Sequence, residues 1–221
     1  MGTDALGRDI ASRVLFGGRI TLIVSLTVVL SCLVVGVPAG LIAGYYDNAV
    51  SQVIMRLADI FLAIPRVILA LAIAQALGAS LPNMILALTV TYWPWFTVIV
   101  AAETKAVKKA IFIEATETLG IGPWRTMLYH ILPNLMSPII VRSTLSMGIT
   151  IMTAAVLGFL GMGVQPPAPE WGSMIADARQ YLRWNGQPVP HLPDAVTVFV
   201  AVQPRVGHLR MSNQQTQREH M

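Results

Sequence analysis

Arg56 and Asp59 stand three residues apart in the run MRLADIFLAIPR, which is otherwise mostly apolar. On a helix that spacing puts guanidinium and carboxylate on one face, where each can neutralise the other. Ionised groups in an apolar span line a water-filled pathway or a protein interior. They can equally sit at interface depth and reach for headgroups, so the pair is a candidate for pathway lining or helix pairing. Other chemistry is sparse. No H-E-x-x-H, G-x-S-x-G or G-x-x-x-x-G-K-[ST] sequence occurs. His130, His191, His208 and His220 are too dispersed to make a metal site by spacing, and the single cysteine, Cys32, falls mid-span. Nothing nominates a nucleophile and its base, so the chain reads as a non-enzyme with no catalytic residue, metal or cofactor of its own.

The densest polar segment of the middle of the chain is residues 105–142, KAVKKAIFIEATETLGIGPWRTMLYHILPNLMSPIIVR. Residues 112–119 read as a short helix stopped at Gly120, a residue type that accepts positive φ. Pro123 suits the first turn of a second helix over 124–131, closed by Pro133. Two short helices in a tight bend make a knob that projects from a bilayer. An amphipathic loop lying flat on the headgroups is the other reading, and spacing does not choose between them.

The elements that hold this segment are apolar. Hydrophobic residues make up 55% of the chain and charged residues 12%, with a mean hydropathy of +0.64. A soluble domain carries about a quarter charged residues. Residues 20–46, 67–102 and 143–169 contain no Asp, Glu, Lys or Arg. A span needs about 20 apolar residues to cross about 30 Å of hydrocarbon. The middle stretch holds a turn signal at 78–83, GASLPN, which divides it into spans near 53–77 and 83–102. The expected fold is therefore all-α, a polytopic transmembrane bundle with four spans; a soluble protein would need polar helix faces that these stretches lack. The net charge of +4 comes from basic residues scattered around spans, which suits membrane lipid and not nucleic acid. Residues 1–19 carry no apolar core of a signal peptide. Gly36, Gly40 and Gly44 form a small-residue face for close helix packing. Pro38, Pro65 and Pro94 lie in apolar runs, where each can kink its helix.

Glu114-Ala115-Thr116, then Gly120, then Ile131-Leu132-Pro133-Asn134 resembles the EAA loop of the membrane subunits of bacterial ABC importers. Gly2-Thr3-Asp4, Gly7-Arg8-Asp9 and Ser12-Arg13 resemble the G-T-D-x-x-G-R-D-x-x-S-R signature of the C-type permeases of oligopeptide, dipeptide and nickel importers. Gln165-Pro166-Pro167, Pro169 and Trp171-Gly172 resemble the Q-P-P-x-P-x-W-G loop of the same subunits, and Gly44-Tyr45-Tyr46 and Met55-Arg56-Leu57 also fit. The resemblance covers about residues 2–182. Thr116 and Glu117 depart from it, standing where the family has Ala and a basic or neutral residue.

This resemblance implies an ABC transmembrane type-1 domain over 20–182, with an extracytoplasmic segment at 1–19 before it. The loop at 105–142 would couple to ATP-binding subunits through Glu114, Ala115, Thr116, Gly120, Ile131, Leu132 and Pro133. It also implies a sister permease, an extracytoplasmic solute-binding protein and a multi-pass place in the cytoplasmic (inner) membrane of a bacterium. Residues 2–19 and 165–187 would lie outside, and the 45–48 turn and the 105–142 loop inside. Counting five basic residues outside against seven inside agrees by a narrow margin. Cargo would be a peptide or nickel. Two departures concern the ends. The family's first and last spans are missing, and residues 183–221 read as a divergent tail, disordered after Gln203, whose one apolar run is too short to cross. A gene truncated at its start and frameshifted near codon 183 would leave a non-functional remnant; translating the DNA in its other two frames tests that.

Overall fold

Lipid offers no water to backbone N–H and C=O groups, so an apolar chain of this composition must close them within helices. The computed structural model describes residues 4, 7–165 and 167–181, and every regular element among them is helical. In order they are α1 (Ile10–Tyr45), α2 (Ala49–Leu62), α3 (Arg66–Leu77), α4 (Leu81–Lys108), α5 (Ile111–Thr118), α6 (Pro123–Arg125), a π turn (Thr126–Ile131), α7 (Leu132–Phe159) and α8 (Trp171–Tyr181). Gly2 and Thr3 of the first motif, Pro166, and the tail from 183 onward lie outside the described residues.

Local chemistry sets the helix ends. Asp9 caps α1, accepting from the Ser12 N–H at 2.8 Å and the Ser12 hydroxyl at 2.6 Å. Those bonds hold its carboxyl below the usual range. The turn expected at 78–83 is present: Gly78 takes φ +87°, and the Asn83 amide donates to Leu77 O at 2.7 Å and Gly78 O at 2.9 Å. Lys105 and Lys108 close α4, where the helix dipole favours cations.

Three runs are long and apolar enough to cross a membrane: α1, α4 and the continuous stretch Pro123–Phe159. The fourth expected span is not straight. Helices α2 and α3 meet at 89° across residues 63–65. Pro65 has no N–H to continue the ladder, and its ring drives Ile64 out of the helical region. A second expectation also changes. Pro133 does not close a short helix; it falls in the first turn of α7, after the π turn. The wider π turn absorbs the missing donor, so the second half of the polar segment is the base of a span.

Gly36, Gly40 and Gly44 set the bundle's axis. Cβ atoms placed on them would lie 2.7 Å from Phe96 Cβ, 2.6 Å from Val100 Cβ and 2.5 Å from Thr104 Cβ. Contacts that rise together in number mean α1 and α4 run parallel, backbone against backbone. Lipid tails are as apolar as leucine, so this close approach and its dispersion contacts, not the hydrophobic effect, hold the pair. Two buried clusters follow. Val24, Val28, Met84, Leu88, Phe96 and Leu157 lie toward one end, and Leu41, Val100, Ile113, Met127, Ile131 and Leu135 toward the other.

Candidate functional site

The second cluster seats the polar knob. Ile113 is fully buried against Met127 and Ile131, and Thr116 is buried beside it, its hydroxyl donating to Ile113 O at 2.7 Å. Gly120, at φ +72°, ends α5, and the Ile121 N–H reaches back to Thr116 O at 3.1 Å. This is the 6→1 bond of a Schellman closure, which a Cβ at position 120 would strain. Pro123 then opens α6 as expected. Lys108 ties the end of α4, from which the knob hangs, to α1, its ammonium donating to Tyr45 O at 2.8 Å and lying 4.8 Å from the Tyr45 ring centre.

The expected coupling residues divide between two faces. Glu114, Ala115, Gly120 and Pro133 are exposed; Leu132 is half-buried; Thr116 and Ile131 face inward. Around Glu114 the outer face is apolar. Ile111 is 85% exposed, Leu119 79% and Trp124 61%, with Phe112 also exposed. Reading the sequence for charge passed over these four. Their signal was there, as apolar residues retained within the most polar segment. Arg56 and Asp59 are both exposed on α2, and no ion pair joins them. Among the described residues the ion pairs gather at Asp4, with Arg8 at 2.8 Å and Arg13 at 3.7 Å.

The opposite end brings the other two motifs together. The Trp171 indole donates to Val14 O at 3.0 Å, and its ring lies where a side chain at Gly18 would stand, 2.9 Å from such a Cβ. Glu170 is buried, wedged against Gly158 and Gly163. It is a single acid in a proline-rich loop, and nothing in its spacing marks it out.

The molecule is thus a membrane-class helical bundle with a capped, apolar-faced knob at one end and a motif-built loop at the other. Residues 36–202 match the family described as binding-protein-dependent transport system inner membrane component, and the chain belongs to that family. The dipeptide transport system permease protein DppC of Alkalihalophilus pseudofirmus is 43% identical over 82% of this chain and 60% of its own length. The glutathione transport system permease protein GsiD of Pectobacterium atrosepticum is 40% identical over 81% of this chain and 60% of its own. The chain thus spans about 60% of the length of the curated relatives it matches. In solved structures, an inward-facing form of the MetNI methionine ABC transporter superposes with a TM-score of 0.65 at 18% identity, covering 93% of this chain and 94% of that one, and shares the fold.

Proposed function

We propose that this chain is a permease subunit of an ATP-binding-cassette importer that carries short peptides across the cytoplasmic membrane of a bacterium. It works with a sister permease, separate ATP-binding subunits and an extracytoplasmic solute-binding protein. The observation that carries the reading is the α5 knob, a short helix anchored by Ile113 with an exposed apolar face around Glu114. A helix that shows lipid-like residues beside Lys105, Lys109 and Glu114 suits a groove on a soluble partner better than either water or hydrocarbon. Force applied there passes through Ile113 to Met127 and Ile131 at the base of the span that continues as α7, and through the short turn back to α4, where Lys108 holds the end of α1. The span and the parallel α1–α4 pair are thereby moved from one handle. The dipeptide and glutathione permeases among its relatives favour peptide over nickel as the cargo.

The test is co-purification with the ATP-binding subunits, followed by uptake of a labelled dipeptide into vesicles holding the full set of partners. Glu114→Lys and Gly120→Pro are expected to abolish both association and uptake. Assembly without ATP-dependent uptake by the unmodified chain would refute the proposal.

A further inference from the structure

Arg66 and Arg142, both half-buried, have no carboxylate within 4.0 Å among the described residues. They share one side chain instead. The Arg66 guanidinium carbon is 5.0 Å from the Trp95 ring centre and 5.0 Å from that of Tyr92. The Arg142 guanidinium carbon is 4.8 Å from the Trp95 ring centre. Trp95 is at the middle of α4, about 20 Å from either end of that helix at 1.5 Å per residue. It lies inside the apolar stretch 67–102, eight residues before Glu103, so two permanent cations are held on one indole within the stretch read as a span.

An aromatic face gives each guanidinium about 0.5–2 kcal/mol, far less than its loss of hydration in hydrocarbon. Arg66, Trp95 and Arg142 are all only half-buried, so their open sides face something other than lipid. The backbone gives the same answer independently. Residues 63–65, between α2 and α3, are all exposed. The Phe61 ring, 5.8 Å from that of Trp93, puts this break at the same depth. Broken backbone at such depth persists only where it is covered by protein or lines a water-filled cavity. Tyr92 fixes the geometry from behind: its hydroxyl pairs with Thr153 Oγ1 at 2.6 Å, locking α4 to α7 beneath the cations.

We propose that Arg66 and Arg142, stacked on Trp95, form a subsite for the C-terminal carboxylate of the peptide cargo as it crosses. This rests on the reading of the chain as a peptide permease. With 5.0 Å and 4.8 Å to one ring centre the two guanidinium carbons are no more than 9.8 Å apart, so the like charges repel, and an anion beside the indole offsets that repulsion while accepting their hydrogen bonds. A planar carboxylate matches the guanidinium fork. A lipid phosphate cannot reach the middle of the span without a bilayer defect. A cargo carboxylate is brought there in each cycle and released when the cavity reopens, so the charges can remain without a resident partner.

The experiment uses the assembled transporter in proteoliposomes, with its solute-binding protein saturated beforehand with either a labelled dipeptide or that dipeptide's C-terminal amide. The unmodified complex is expected to move the free acid at least about tenfold faster than the amide, in line with a lost charged hydrogen bond. Arg142→Gln and Arg66→Gln are each expected to lower uptake of the acid by a similar factor and that of the amide by less than about twofold. Arg142→Lys keeps the charge, is expected to restore part of the acid's advantage, and serves if the Gln variants fail to assemble. Equal losses for acid and amide would overturn the subsite, pointing to a counter-ion on the sister subunit or to a purely structural pair. Equal rates for the two peptides in the unmodified complex would overturn it too. A complex that moves neither peptide refutes the proposed function, and the subsite with it.

Discussion

Glu170 is confined by glycine. Both carboxylate oxygens lie 2.6 Å from where a Cβ on Gly158 would stand, and Oε2 lies 2.5 Å from one on Gly163. Oε2 has no hydrogen-bond partner. Burial pushes the pKa up to about 7 from 4.5, against a smaller opposing pull from the Val164 backbone. For an acid, a raised pKa means that the fold prefers the neutral form. The stabilisation is complete below about 4.5 and is lost as pH rises through about 7. Thermal unfolding of the detergent-solubilised protein is therefore expected at a higher temperature at pH 5.5 than at pH 8, and Glu170→Gln should flatten the difference. An unchanged pH slope in that variant would remove Glu170 as the cause. Trp171 acts at the same end by a different bond. Trp171→Phe keeps the ring over Gly18 and loses the donor to Val14 O, which should cost about 1 kcal/mol and be read as a modest fall in midpoint.

Between elements, the interface of α1 and α4 leaves the least freedom. A Cβ at Gly40 would lie 2.6 Å from Val100 Cβ and 2.7 Å from Thr97 O, and the second of these is backbone that cannot swing aside. Gly40→Leu should therefore separate the two helices, costing about 1–3 kcal/mol or more. Gly148→Leu is the matched control, because nothing lies within 4 Å of a Cβ there. The comparison is the yield of monodisperse protein after heating, expected to fall for the first and hold for the second. The glycine stripe was legible from its spacing of four, and so was the stop at Gly120, because both depend on the residue's own lack of a Cβ. The right-angle break between α2 and α3 was only half legible. Pro65 announced a kink, but its angle depends on how Phe61 and Arg66 meet α4.

For the whole molecule, the knob should separate association from stability. Ile111, on the eight-residue helix α5, and Leu119, just past its end, point outward, whereas Ile113 points inward. Aspartate at both Ile111 and Leu119 is expected to weaken capture of the ATP-binding subunit in a pull-down while leaving the melting temperature within about 2 °C, as surface changes do. Ile113→Asp buries an unpaired charge and should lower the melting temperature strongly. Equal behaviour of the two would mean that α5 has no free face. By itself the sequence determined the membrane class, the apolar spans and the places where helices stop, because transfer into lipid and the sterics of Gly and Pro act residue by residue along the chain. It did not determine which charges meet. Arg56 and Asp59 share a helix face and form no ion pair, whereas Arg66 and Arg142, 76 positions apart, meet on Trp95. The loop at Trp171 likewise closes on Val14 from the far end of the chain. Helices apolar on all sides carry no pattern that fixes their rotation, so only packing, led here by three glycines, decides which side chains face one another.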